Sequence, residues 1–268
     1  NHVDLHIAFH NSYYNHTTFK YKNTTYHPIK IYKNKFHKYW SIFTNKVIDK
    51  EFKNEYLKII DEVKPDIIHI HGTENPFGCI IDETDIPVVV SIQGVLTIIS
   101  HKYFSGIESK YLSVSKRKKI FFRDNFKKSY FNMKRMAKIE RSTLVKCKYI
   151  FGQTDWDRRV SQILAPNSLY WRLDRIIRSE FYQYEWRYRS NKNFIIFTIN
   201  SNHFYKGFET LCLSLNELNN IGFNCEWHVA GISEDDLIVK VVKKKIKNKF
   251  PNHNLKLLGN LNEKELTE

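Results

Sequence analysis

Apolar and polar residues alternate along Val3-Asp4-Leu5-His6-Ile7-Ala8-Phe9, the period-two signature of a strand. Residues 10–50 are aromatic and polar without a clear period, and short strands are expected near 24–26 and 29–32. Over residues 46–63 the apolar positions 47, 48, 52, 56, 59, 60 and 63 fit one face of an amphipathic helix. Pro65 should stop that helix, and residues 66–71 read as a short apolar strand closed by a turn at Gly72. Pro87-Val-Val-Val-Ser-Ile92 is β-branched almost throughout, as a buried parallel strand requires, and Tyr149-Ile-Phe-Gly152 is another such run. Strands alternating with helices predict a parallel, doubly wound α/β sheet.

After about residue 190 the pattern restarts. Strands are expected at 194–199, 226–230 and 255–258, with helices at 207–218 and 236–250 and a last one capped by Asn262. The segment Tyr184-Glu-Trp-Arg-Tyr-Arg-Ser190 lies between the two series. Three strands are few for an open sheet, so both series read as incomplete.

Composition narrows the class. The chain has 268 residues, 42% of them apolar, with nine Gly and six Pro, enough for a sizeable core and too ordered for wholesale disorder. The most apolar run, residues 86–99, is broken by Ser91, Gln93 and Gly94 and falls short of the ~20 residues that span a bilayer. Four scattered cysteines without a C-x-x-C pair argue for free thiols rather than a zinc ribbon or a disulfide scaffold. The opening residue, Asn1, stands directly in strand-like sequence, and a fragment of a longer chain is expected; the lack of a leader at this end therefore says little.

Charge is concentrated. The 43 Lys+Arg and 28 Asp+Glu give +15 overall. Residues 110–148 hold fourteen of the cations against Asp124 and Glu140, a local +12 that leaves +3 for everything else. Phe122, Phe126, Tyr130, Met133 and Ala137 fall on one helical face there. Around it stand Arg117, Lys118, Lys119, Arg123, Lys127, Lys128, Arg135 and Lys138. Three readings are open: a core-packing helix with a solvated side, docking on anionic lipid headgroups, or contact with nucleic-acid phosphates. No RNP-like, helix-turn-helix or zinc-finger signature accompanies the last, and no nucleic acid is expected as a partner.

The chain contains no G-x-G-x-x-G, P-loop or G-x-S-x-G motif. His69-Ile-His71 puts two imidazoles on one strand face, a metal pair or, more simply, hydrogen-bonded strand-end histidines. His71 also stands at a strand's carboxyl end, where open α/β sheets bind ligands. Asp155-Trp156-Asp157 reads either as a D-x-D metal motif or, with Thr154, as a capping box; the cap is favoured. In Phe194-Ile-Ile-Phe-Thr-Ile-Asn-Ser-Asn-His-Phe-Tyr-Lys206-Gly207, a buried strand runs into a polar loop and then Lys-Gly at a helix start. Unpaired N–H groups, the helix dipole and the ammonium together suit a diphosphate, although many surface helices begin the same way.

Several segments in order carry a resemblance. They are Lys64-Pro-Asp-Ile-Ile-His-Ile-His-Gly72, Val88-Val-Val-Ser-Ile-Gln-Gly94, Glu140-Arg141, Cys147-Lys-Tyr-Ile-Phe-Gly-Gln-Thr-Asp-Trp-Asp157, Tyr205-Lys-Gly-Phe208, His228-Val-Ala-Gly231 and Leu257-Leu-Gly259. Over nearly the whole chain they resemble the family-4 glycosyltransferases of the GT-B fold, particularly bacterial polysaccharide-assembly members. The resemblance implies an α/β protein of two Rossmann-like domains facing a cleft. Residues 1–190 would form the acceptor-side domain, lacking its first strand, and 191–268 the first part of the nucleotide-sugar-binding domain. It implies retention of anomeric configuration, no cofactor and no D-x-D metal.

Lys206 matches the family's lysine that neutralises the donor diphosphate, with Gly207 beside it. The family's second cation falls at Asn200, a neutral amide, and Gln93 stands where many relatives have a histidine at the reaction centre. Gln93 and Lys206 are thus the candidate catalytic residues, and Asn200, Lys206 and Gly207 the donor-binding set. His71, Gly72, Gly94 and Thr154 are the acceptor-side residues. Arg117, Lys118, Lys119, Arg123, Lys127 and Lys128 are the candidates for docking on an anionic membrane surface. The acceptor would be a glycan or lipid-linked glycan, and the location cytoplasmic, on the inner face of the cell membrane. The family's glycine-rich first loop and its paired glutamates would lie outside residues 1–268, so this segment alone is expected to be inactive. Three other readings stay open: a metal-dependent GT-A-like transferase, a basic nucleic-acid-binding module, and a non-catalytic sugar-nucleotide-binding relative.

Overall fold

The structure, a computed structural model, describes residues 3–11, 17–30, 49–104, 106–108, 119–185 and 194–267. It is a mixed α/β protein with three sheets among the described residues. The first joins β1 (Leu5–Asn11), β2 (Phe19–Tyr21) and β3 (Thr24–Lys30). β1 runs parallel to β3, and β2 pairs antiparallel with Thr24–Tyr26 through a two-residue turn. The two short strands expected near 24–26 and 29–32 fall in one strand as far as Lys30, residues 31 and 32 lying outside the described residues, and within it Pro28 falls past the reach of β2, where a missing N–H disturbs least. β2 itself, three residues long, carries too little period to be read from sequence.

Helix α1 (Asp49–Val63) agrees with the amphipathic pattern, and residues 46–48 of that expectation lie outside the described residues. Pro65 ends it: Lys64, denied the right-handed region by the ring that follows, adopts φ 49° while still bonding the Ile60 carbonyl. The second sheet is parallel throughout, in the order β4 (Ile68–His71), β5 (Val88–Ser91), β6 (Tyr149–Gly152) and β7 (Leu169–Arg172). Ile70, Val90 and Ile150 stand in register across it and are buried, which is why these runs read as β-branched rather than alternating. Helices α2 (Leu96–Lys102) and α3 (Lys119–Leu144) connect β5 to β6, and α4 (Asp155–Leu164) connects β6 to β7.

The third sheet, also parallel, has the order β10 (Leu255–Gly259), β9 (Cys225–Ala230) and β8 (Phe194–Ile199). Helices α5 (Phe208–Asn220) and α6 (Leu237–Ile246) form its crossovers, and α7 (Glu263–Thr267) follows β10. Val239, Val241 and Val242 of α6 pack with Phe208, Cys212, Val229 and Ile232 in one core while Lys240, Lys243 and Lys244 face outward. The helix expected over 236–250 stops earlier because Lys247 turns into positive φ and a short 3₁₀ turn, Lys247–Lys249, replaces its end.

Two compact units emerge: one from Asn1–Thr97 with Asn132–Asp174, the other from Ile98–Phe131 with Arg175–Glu268. The division expected at residue 190 differs from this, since the segment after Thr97 belongs with the third sheet. The physical reason is packing: Ile107 enters that sheet's core, Phe104 lies against Phe204 (5.9 Å) and Tyr103 against Tyr205 (5.7 Å). The ammonium of Lys245 adds a bond to the Gly106 carbonyl and an ion pair with Glu209. No helix among the described residues is long and apolar enough to cross a membrane.

Candidate functional site

Two groups of candidate residues occur, one in each unit. In the first unit, parallel strands bring His71, Ser91 and the start of α4 to one edge of the second sheet. His71 is directly across from Ser91, so Gln93, two residues further on, reaches back to it: the Gln93 amide donates to His71 Nδ1. That bond leaves the proton of a neutral His71 on Nε2. His69, one pleat earlier on the same face, bonds Ser91 Oγ at 2.6 Å and meets the Phe151 ring edge-on at 6.0 Å. Burial lowers the His69 pKa, and the neighbouring His71 lowers it further. Both imidazoles therefore have side-chain partners, which supports the hydrogen-bonded strand-end reading. No group of three or more His, Cys, Asp or Glu side chains suited to a metal occurs among the described residues.

Gly72, buried at φ 91°, turns the chain at the end of β4 while its N–H bonds the Ser91 carbonyl (3.0 Å); a side chain there would collide with the Glu74 carboxylate. Gly94 is half-buried beside Gln93. Thr154 caps α4: its hydroxyl accepts from Asp157 N–H (3.1 Å), and the Asp157 carboxylate accepts from the N–H groups of Gln153 (3.0 Å) and Thr154 (3.1 Å). Asp155 pairs with Arg158 at 3.3 Å. The two carboxylates of the D-x-D sequence thus serve a helix start and a helix-surface ion pair. His71 and Gln93 are brought into contact, while Thr154 lies at the end of β6, beyond the intervening β5.

In the second unit the loops leaving β8, β9 and β10 are tied together. Asn200 N–H bonds the Ala230 carbonyl (2.9 Å), Gly231 N–H the Gly259 carbonyl (2.6 Å) and Gly259 N–H the Ile232 carbonyl (2.9 Å). Asp236 accepts from the Asn202 side chain (3.0 Å) and from Ser233 N–H (2.8 Å). Asn200, expected to assist a diphosphate, turns its Oδ1 onto the N–H of Ser201 (2.7 Å) and so holds its own turn. Lys206 ends a 3₁₀ turn, Phe204–Lys206, and its exposed ammonium lies 5.6 Å from the centre of the Tyr205 ring. Gly207, at φ 78°, is the cap of α5 and supplies no side-chain hydrogen bond; a Cβ there would meet nothing nearer than Thr210 at 4.0 Å. The first N–H groups of α5 therefore have no side-chain cap. Burial, and then the Lys206 charge, lower the pKa of His203.

Of the membrane-docking candidates, Arg117 and Lys118 lie outside the described residues. Lys119, Arg123 and Lys127 fall on the described backbone of α3, and Lys128 is exposed on it.

Sequence reasoning gave no role to Glu140, which is fully buried in the first unit. Its signal was present: Met133, Ala137, Glu140 and Leu144 fall at spacings of four, three and four, so a carboxylate interrupts the apolar stripe of α3.

No known family profile matches this chain, and no curated protein matches it significantly.

Proposed function

We propose that the chain is part of a retaining glycosyltransferase of the GT-B type, which moves a sugar from a nucleotide-diphospho-sugar to a polysaccharide or lipid-linked acceptor. The observation that carries this reading is Lys206, an exposed ammonium one residue before a glycine-capped helix at the carboxyl edge of a parallel sheet. Such an arrangement offers a diphosphate a full positive charge, backbone N–H donors and the positive end of a helix dipole. When the glycosidic bond to the nucleotide breaks, negative charge builds on the departing diphosphate. A cation already in place lowers that barrier without reorganisation. Gly207 leaves room for close approach of the phosphates.

On this reading Gln93 and Gly94 line the reacting sugar, and the hydrogen bond to His71 fixes the Gln93 amide so that its carbonyl oxygen accepts from a sugar hydroxyl. His71, Gly72 and Thr154 belong to the acceptor side. Asn200 supports the loop that carries Lys206 instead of contacting phosphate. Docking on an anionic membrane through the cationic stretch 117–128 places the enzyme at the cytoplasmic face, near a lipid-linked acceptor.

The test is titration calorimetry of nucleoside diphosphates and nucleotide-sugars at low salt with the wild-type chain and Lys206→Ala, with sugar transfer measured in the intact enzyme. A charge-assisted contact of about 1.5–3 kcal/mol corresponds to a roughly 10–150-fold loss of affinity in the variant. Equal affinity of the two proteins, or no binding by wild type, overturns the assignment.

A further inference from the structure

The carboxylate of Glu140 sits where the two loops that carry His71 and Gln93 converge. Its Oε2 accepts from the Thr73 hydroxyl (2.8 Å) and from Leu96 N–H (3.0 Å), and its Oε1 accepts from Thr97 N–H (2.7 Å). Thr73 lies two residues past His71, and Leu96 three residues past Gln93. One side chain, from a third element, thus bonds the loop after β4 and the loop after β5 at once. Leu96 and Thr97 are also the first residues of α2, so the same carboxylate satisfies N–H groups that a helix start leaves open.

The surroundings make this tie stiff. Glu140 is completely buried, and a carboxylate without water is tolerated only while its hydrogen bonds are kept. One turn further along α3, the Thr143 side chain packs directly on Gly78, so closely that a Cβ on the glycine would overlap it. The helix is thereby held against the segment that follows β4, and moving the loop after β5 relative to it breaks the buried bonds from Leu96 and Thr97 to Glu140. Packed interiors behave as discrete arrangements rather than continuously deformable ones.

We infer that Glu140 is a positioning residue: it sets the separation of the loops after β4 and β5 and so holds the Gln93 amide against His71 Nδ1. Its meaning for catalysis rests on the reading that this pair lines the reacting sugar, but the geometric claim is separable from it.

The test compares wild type, Glu140→Gln, Thr73→Val and Thr73→Ser as full chains by NMR. The readouts are the nuclear Overhauser effect between the Gln93 side-chain amide and the His71 ring, assigned with His71→Gln, and amide-exchange protection of β5. Glu140→Gln and Thr73→Val are expected to weaken the Gln93–His71 effect at least about threefold while β5 protection persists, and Thr73→Ser to restore it. In the intact enzyme Thr73→Val should lower kcat about tenfold with the donor KM unchanged, the pattern of a displaced group rather than a lost binding contact. An unchanged Gln93–His71 effect in either folded variant overturns the inference. Should Glu140→Gln not fold, Thr73→Val, which removes a single hydroxyl at nearly constant volume, decides alone; loss of fold there too would make the tie structural and overturn the positioning role. Absence of sugar transfer by the wild-type enzyme removes the transferase reading and leaves the NMR result standing.

Discussion

Three glycines in the second unit share almost the same backbone conformation and differ in what surrounds them. Gly222 (φ 75°) terminates α5 in a Schellman motif: Phe223 N–H bonds the Leu218 carbonyl and Gly222 N–H the Asn219 carbonyl, both at 3.0 Å, with nothing within 4 Å of where a Cβ would stand. Gly207 (φ 78°) is nearly as open. Gly231 (φ 84°) follows β9, and a Cβ there would overlap the Asn200 carbonyl oxygen and lie 3.3 Å from its carbon. All three alanine variants suffer the left-handed strain of an L-residue, about 1–2 kcal/mol. Only Gly231→Ala adds an overpacking cost, about 1–3 kcal/mol, because the atom it meets is backbone already fixed by the Asn200–Ala230 bond. The expected losses are therefore about 1–2 kcal/mol for Gly222→Ala and about 2–5 kcal/mol for Gly231→Ala. At a urea slope of about 2 kcal/mol/M, the Gly231→Ala midpoint should fall by about 1–2.5 M, against roughly 0.5–1 M for Gly222→Ala. Urea unfolding followed by circular dichroism measures both. Equal midpoints for the two variants would refute the close approach of β8 and β9 at the Asn200–Gly231 junction.

Stability should fall with acid. Burial lowers the pKa of His10, which is packed among Phe52, Tyr56 and Phe77, and that of His69; His27 is lowered by burial and then by His6, with Glu62 opposing weakly. The folded protein keeps these imidazoles neutral below their ordinary 6.5, so the unfolded chain takes up protons first. The melting temperature should hold above about pH 7 and decline as pH falls through 6.5 toward the folded values; a flat or rising profile contradicts this. Among the thiols, burial pushes Cys147 and Cys212 up to about 12 and raises Cys225, whereas Cys79 is only half-buried. A disulfide reagent at pH 8 should therefore titrate one fast thiol in the native protein and four in urea, and two or more fast native thiols would contradict the buried placements.

The elements with a strong period were legible. The runs at 149–152 and 194–199 are strands at those bounds, and the capping box from Thr154 to Asp157 forms as its spacing implies. β2 escaped because three residues hold less than two periods, and β7 because Leu-Tyr-Trp-Arg, exposed at three of its four positions, has no β-branched run. The Lys-rich helix was placed correctly but drawn too long, since its terminus is set by one lysine at positive φ, which composition does not encode. His71, Gln93, Lys206 and Gly207 are candidates on sequence grounds, and their roles stay proposals. The contact between the first two was not legible there, and Asn200 was given a ligand where it has its own turn.

Local chemistry settled most of the strands, the stop of the first helix at Pro65, the start of the helix capped by Thr154, and the Lys-Gly pair at another helix start, because period, proline and capping act within a few residues. Folding in three dimensions decided that His71 meets Gln93, that the segment after Thr97 joins the C-terminal sheet, and that Glu140, 67 residues from Thr73, ties two loops. Those outcomes depend on strand register and on finding donors for a carboxylate excluded from water. Both are relations between distant residues that no local stretch of sequence contains.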